Sequence, residues 1–135
     1  MKKFVQLISI ALLAVMCVAL LASCAPASDP DKAEKALKDA GYVVNSKAIS
    51  TAVRVFLKDV QSVVAASKTD DDKNVQTVII IYFNDADAAK SAYEDSTLKK
   101  YFDDKKENKE ETEYVYARSG KMIYWGTKTA IKDAR

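Results

Sequence analysis

The chain has 135 residues, of which 49% are hydrophobic, with 21 Lys plus Arg, 19 Asp plus Glu and no His; it is long enough for one domain and too short for two ordinary ones. A near-neutral balance excludes a dedicated nucleic-acid binder, which needs a net basic surface to neutralise phosphates. Without imidazole the chain lacks the usual general base and the commonest metal ligand.

In chain order, Met1-Lys2-Lys3 supplies a positive start, and Phe4 to Leu21 follows as an apolar run interrupted only by Gln6 and Ser9. This is the layout of a secretory signal. The run closes on Leu21-Ala22-Ser23-Cys24: an aliphatic residue, two small residues and a cysteine. Those four positions resemble the lipobox of bacterial lipoproteins. The resemblance implies that the Cys24 thiol receives a diacylglyceryl group, that residues 1–23 are cleaved off as a signal peptide, and that Cys24 becomes the modified first residue. Two acyl chains, at about 0.8 kcal/mol per buried CH2, give a stable anchor where one gives only marginal binding. Cys17 would leave with the leader, so the mature chain would keep no free thiol and no disulfide. The competing interpretation is an uncleaved membrane-spanning helix, near the lower length limit for crossing a bilayer. Both place Lys2 and Lys3 in the cytoplasm and everything after Cys24 outside.

Residues 24–28 read as a short tether reaching less than about 20 Å, which brings the domain that follows close to the membrane. Residues 29–135 read as a single α+β domain. With Asp29 as N-cap and Pro30 at the first helical position, the spacing of Ala33, Ala36, Leu37 and Ala40 predicts a helix over residues 30–40, closed by Gly41. Tyr42-Val43-Val44 begins a short strand. From Ser50 to Leu57 the pattern is ambiguous: Val53, Val55 and Leu57 alternate as in a strand, whereas Ile49, Val53, Phe56 and Val60 fit a helical stripe.

Val60 to Lys68 and Val75 to Phe83 are β-rich runs flanking the polar stretch Thr69 to Asn74, the signature of an antiparallel hairpin. Asn84 or Asp85 then caps a helix expected to run through Phe102, with Ala86, Ala89, Ala92 and Tyr93 as its buried stripe. Asp103 to Glu113 is nearly all charged, a solvated loop or helix extension. Tyr114 to Arg118 and Lys121 to Gly126 form a second hairpin across Ser119-Gly120, with Arg118 facing Lys121, Tyr116 facing Ile123 and Tyr114 facing Trp125. Thr127 caps a final short helix ending near Ala134. The expected architecture is α+β: an antiparallel sheet of about four or five strands with helices mainly on one face.

Catalytic constellations are scarce. Ser/His, Cys/His and zinc sites are unavailable without His and with Cys24 lipidated. Gly41, Gly120 and Gly126 are isolated, so no phosphate-cradling loop can be written. Ser96-Thr97-Leu98-Lys99 formally matches a Ser-x-x-Lys pair, yet its companion segments are missing and a polar outer helix face explains it. Asp70-Asp71-Asp72 could gather a hard cation, but three consecutive side chains do not converge as a calcium loop requires, which leaves a charged hairpin tip. Asp103, Asp104, Glu107, Glu110, Glu111 and Glu113 are interleaved with Lys105, Lys106 and Lys109, a surface pattern rather than a desolvated acid pair.

The strands are apolar on both sides. Thr77, Ile79, Ile81 and Phe83 alternate with Val78, Ile80 and Tyr82, and Val115 and Tyr124 share a side of the second hairpin. Helices on one face only would leave the face carrying Val78, Ile80, Tyr82, Val115 and Tyr124 open, a candidate interaction surface; the alternative is that the first helix, the last helix or the 50–57 segment covers it. The functional expectation is a lipid-anchored extracytoplasmic binding or interaction module without catalytic activity, metal or cofactor. It would be held at the membrane through Cys24, with an envelope protein or small molecule as partner and no role for nucleic acid. The alternative is an accessory or inhibitor protein that inserts the Asp70–Asn74 tip into a cell-envelope enzyme. A hydrolase using carboxylates alone ranks third.

Overall fold

The computed structural model describes residues 25–104 and 114–135. Helix α1 (Pro30–Asp39) starts where Asp29, in extended conformation, accepts the amide of Asp31 at 3.0 Å, and it turns out at Gly41 with φ +88°. Strand β1 (Val43–Val44) follows, and then helix α2 (Ser46–Arg54). The ambiguity of the 50–57 segment is settled for helix through Arg54: Val53 is fully buried while Val55, which a strand would have buried on the same face, is 83% exposed. Asn45 makes no side-chain cap; the Ser46 hydroxyl instead takes the Ala65 amide at 3.0 Å, fastening the start of α2 to the sheet.

Strands β2 (Val60–Thr69) and β3 (Val75–Phe83) form the expected hairpin. The next helical stretch is two helices, α3 (Ala86–Glu94) and α4 (Ser96–Asp104), not one running to Phe102. Asp95 is extended and its carboxylate accepts the Thr97 amide at 2.8 Å, so it ends one helix and begins the next. In α3, Ala89 and Ala92 are buried, Tyr93 is half-buried and Ala86, in the first turn, is exposed. Asp103 and Asp104 end α4; the rest of the charged stretch, residues 105–113, lies outside the described residues.

Strands β4 (Tyr114–Ser119) and β5 (Met122–Thr127) make the second hairpin, with Ser119 opposite Met122, Arg118 opposite Ile123 and Tyr116 opposite Trp125. This is two residues out of the expected register. The central pair of the turn is Gly120-Lys121, with Gly120 at φ +60°, as a tight hairpin with glycine in the first central position requires. Because side chains alternate with period two, the slip leaves every residue on its expected face. Helix α5 (Lys128–Asp133) is capped by Thr127, whose hydroxyl accepts the Ala130 amide at 3.4 Å.

The five strands form one antiparallel sheet in the order β1-β2-β3-β5-β4. Of the five described helices, α2, α3 and α4 bring Val53, Ala89, Ala92, Leu98 and Phe102 onto the face of Ile79, Ile81, Ile123 and Trp125. Helices α1 and α5 bring Ala33, Leu37, Ala130 and Ile131 onto the other face. The α+β class holds, and both faces are covered.

The candidate interaction surface is corrected by this second layer. Val78 and Ile80 are fully buried, Tyr82 and Tyr124 nearly so, and Val115 is half-buried against the same cluster. The first and last helices are short, yet their Ala, Leu and Ile positions close over the strands, so that face is core.

Candidate functional site

Cys24 and the leader lie outside the described residues, and the first described residue is Ala25. The segment that follows is no free tether. Pro26 is buried, and Ala25 and Ala27 pack against the core under α1 and α5. The Ala27 amide donates to the Ala134 carbonyl at 2.9 Å, and the Tyr82 hydroxyl donates to the Ala27 carbonyl at 2.8 Å. Both polar groups of one backbone unit are thus satisfied by the far end of the chain and by the central strand. The clue in the sequence is composition: Ala25-Pro26-Ala27 is apolar, whereas a solvated linker is Gly/Ser-rich and polar.

Several tyrosine hydroxyls are used inside the fold. Tyr42 donates to the Asp133 carboxylate at 2.8 Å, Tyr116 to the Tyr93 carbonyl at 3.0 Å, and Tyr93 back to the Tyr116 carbonyl at 3.4 Å. Burial, then the nearby Tyr93 and Asp95, pushes the Tyr116 phenol up to about 12. Burial pushes Tyr42 and Tyr82 higher still, with Asp133 adding to the first and Asp29 to the second. These phenols are hydrogen-bond donors at neutral pH, not bases.

At the hairpin tip Asp70 is structural. Its carboxylate accepts the Asp72 and Asn74 amides at 3.0 and 2.9 Å and the Gln76 side-chain amide at 3.0 Å. The Gln76 bond first, then that from Asn74, holds the Asp70 carboxyl below the usual carboxylate range. Lys73 takes the left-handed conformation at φ +66° to close the turn. Asp71 and Asp72 are left exposed on a braced tip. Among the described residues no group of His, Cys, Asp and Glu side chains is placed to hold a metal ion.

Three depressions among the described residues bear on function. One, about 600 Å³, is an open hollow lined by Glu34, Val44, Asn45, Ser46, Lys47 and Thr51. A second, about 380 Å³, lies between the α2–β2 connection and α3, with Asp59, Asp85, Asp87 and Asp95 on its rim. All four of these carboxylates are exposed, and Asp85 and Asp95 already accept amides at the starts of α3 and α4. Solvated, capping acids are not a desolvated acid/base pair. The third, about 130 Å³, sits beside Trp125, whose ring stacks on Phe102 at 5.3 Å and Tyr114 at 5.1 Å, at the border of residues 105–113. Ser96 and Lys99 are both exposed on α4, whose buried side carries Leu98 and Phe102.

Among the described residues no helix is long and apolar enough to cross a membrane. Compared with known protein families, with curated proteins and with solved structures, the chain matches none.

Proposed function

We propose that the chain is a lipid-anchored extracytoplasmic interaction module, cleaved before Cys24 and held on the outer side of a bacterial membrane by a diacylglyceryl group on that sulfur. One observation carries this reading: Leu21-Ala22-Ser23-Cys24 leads without a polar spacer into Ala25-Pro26-Ala27, a segment already packed on the folded body. An anchor placed there presents the domain directly at the bilayer surface. The module works by contact rather than bond-breaking: the buried Tyr42 and Tyr82 are committed to carboxylate and backbone partners, and the carboxyl of Asp70 is shifted in the direction opposite to that of a general acid.

Intact mass of the protein extracted from membranes tests the proposal. The expected mass is that of residues 24–135 plus the diacylglyceryl group, and Cys24→Ser should leave an unlipidated, uncleaved precursor. A wild-type product that keeps residues 1–23, or whose Cys24 is unmodified, would overturn it.

A second reading, an accessory or inhibitor of a cell-envelope enzyme, draws on the hairpin tip. Asp70 braces the turn, so Asp71 and Asp72 are offered on a pre-formed loop, and preorganisation lowers the ordering cost of inserting it into a cleft. Crosslinking should then recover a defined enzyme, and Asp71→Asn or Asp72→Asn should weaken its capture without unfolding the domain.

A further inference from the structure

Two features that are distant in sequence lie at the same end of the sheet. The Arg54 guanidinium, at the close of α2, donates to the carbonyls of Val60 and Gln61 at 2.9 and 3.1 Å, pinning the end of that helix to the start of β2. Immediately beyond it Val55 is 83% exposed and Phe56 36% exposed, with the Phe56 ring held against Tyr101 at 5.2 Å. Val60 pairs with Phe83, and Ser62 pairs with Tyr82, whose hydroxyl clasps Ala27. The chain therefore enters the fold at the end of the strands that carries Val55 and Phe56, on the opposite face of the sheet. The Asp70–Asn74 tip stands at the other end, about 26 Å along β2 from Ser62 at the rise of an antiparallel strand.

Exposed apolar residues taken singly are unremarkable. Their place beside the point where a lipidated cysteine must join the domain is what gives them a partner. We propose that Val55 and Phe56 form a second membrane contact, entering the interfacial region of the phospholipid bilayer beside the Cys24 anchor. The strands then stand away from the membrane, and the acidic hairpin tip points outward. This rests on the lipid-anchor reading. An acyl anchor fixes distance but not tilt; an apolar contact on the other face of the sheet fixes both, and each apolar side chain buried adds favourable transfer free energy in proportion to its area. The depression that Phe56 lines carries Lys58 against Asp59, Asp85, Asp87 and Asp95, an acidic rim that anionic lipid would repel, so the contact is made to a zwitterionic surface.

The test uses the full lipidated protein in phosphatidylcholine vesicles that contain nitroxide-labelled lipid. Once Cys17 is removed and Cys24 is blocked by lipid, Val55→Cys and Asp72→Cys each present a single thiol for a small fluorophore; both positions are exposed, so both variants fold. Quenching at position 55 should exceed that at position 72 by about threefold or more, as expected for a group at interfacial depth against one beyond the headgroups. Equal quenching at the two positions, in protein whose mass shows lipid on Cys24, would overturn the second contact and leave the anchor standing. A mass without lipid would overturn the anchor reading and this inference with it.

Discussion

The Tyr82 hydroxyl donates to the Ala27 carbonyl at 2.8 Å, closing a loop of 55 residues between the entry of the chain and the central strand. The ring itself is 4% exposed and belongs to the core, while its oxygen reaches past the core to hold the entry segment. Tyr82→Phe keeps the apolar contact and removes that one bond. The expected cost is about 1 kcal/mol, rising toward about 2 if the carbonyl is left dry. Hydrogen exchange should quicken at the Ala27 amide, which is bound to Ala134, more than in β3. Unchanged exchange at Ala27 would show that packing alone holds the segment.

Ile80 separates a core role from a ligand-facing one. It is fully buried between the α1 and α5 layer and its neighbours Val64 and Tyr124. Ile80→Ala should lower stability in urea by about 2–5 kcal/mol, the range for a large-to-small change in a packed core. An interaction residue on an open face would change the unfolding midpoint far less.

Much of this architecture was legible because several elements carry their own punctuation. Asp29-Pro30 and Gly41 bracket α1, Asp85 opens α3, and Thr127 caps α5, each through a local hydrogen bond or a special backbone angle that neighbouring residues determine. The two-sided apolar character of β3 was equally plain. What it required was not: whether short Ala-rich helices close over the second face depends on the path of α1 and α5, a tertiary fact with no local signal. The 50–57 segment is ambiguous for a related reason, since Val53 fits both periods and only the position of α2 on the sheet sends Val55 outward. The docking of residues 25–27 was missed because their brevity and place after Cys24 suggested a linker, although their apolar composition pointed to burial.

Alkaline unfolding should report the buried phenols. Tyr116 is pushed up to about 12, and Tyr42 and Tyr82 are raised further, chiefly by burial in all three. A raised value in the folded state means that the native protein keeps protons which the unfolded chain loses near the ordinary phenol value of 10.0. Stability should therefore be level with respect to these groups below about pH 10 and fall as pH rises through and above it. The urea midpoint, followed through the buried Trp125, checks this; a flat profile to pH 12 would contradict the burial of the three rings.

Asp70 carries the reverse dependence. Its carboxyl is held down by the Gln76 amide and then by the Asn74 amide, so the order it gives the tip is present above the ordinary carboxyl value and is lost as pH falls through the lowered native one. Asp70→Asn should loosen residues 71–74 at neutral pH, seen as faster exchange of the Asp72 and Asn74 amides. Asp71→Asn and Asp72→Asn, on exposed side chains, should leave those amides protected.

Gly126 is the most closely approached of the three glycines. It pairs with Val78 across β3 and β5, at φ +157°, and a Cβ there would meet the Thr77 carbonyl oxygen and lie 2.8 Å from the Val78 Cα. Those are backbone atoms of the central strand, which cannot rotate aside as a flexible side chain would. Thr127, the next residue, donates its hydroxyl to the same Thr77 carbonyl at 3.5 Å while capping α5, so any shift of β5 also disturbs the helix over the second core. Gly126→Ala should therefore cost about 3 kcal/mol, the upper part of the range for overpacking, and its effect should spread to the Ala130 amide. Gly120→Ala, where a Cβ would meet open space, isolates the cost of backbone conformation alone and should be milder, about 1 kcal/mol. Paired urea denaturation of the two variants makes the comparison; equal losses would mean that strand contact at Gly126 contributes nothing beyond its backbone angle.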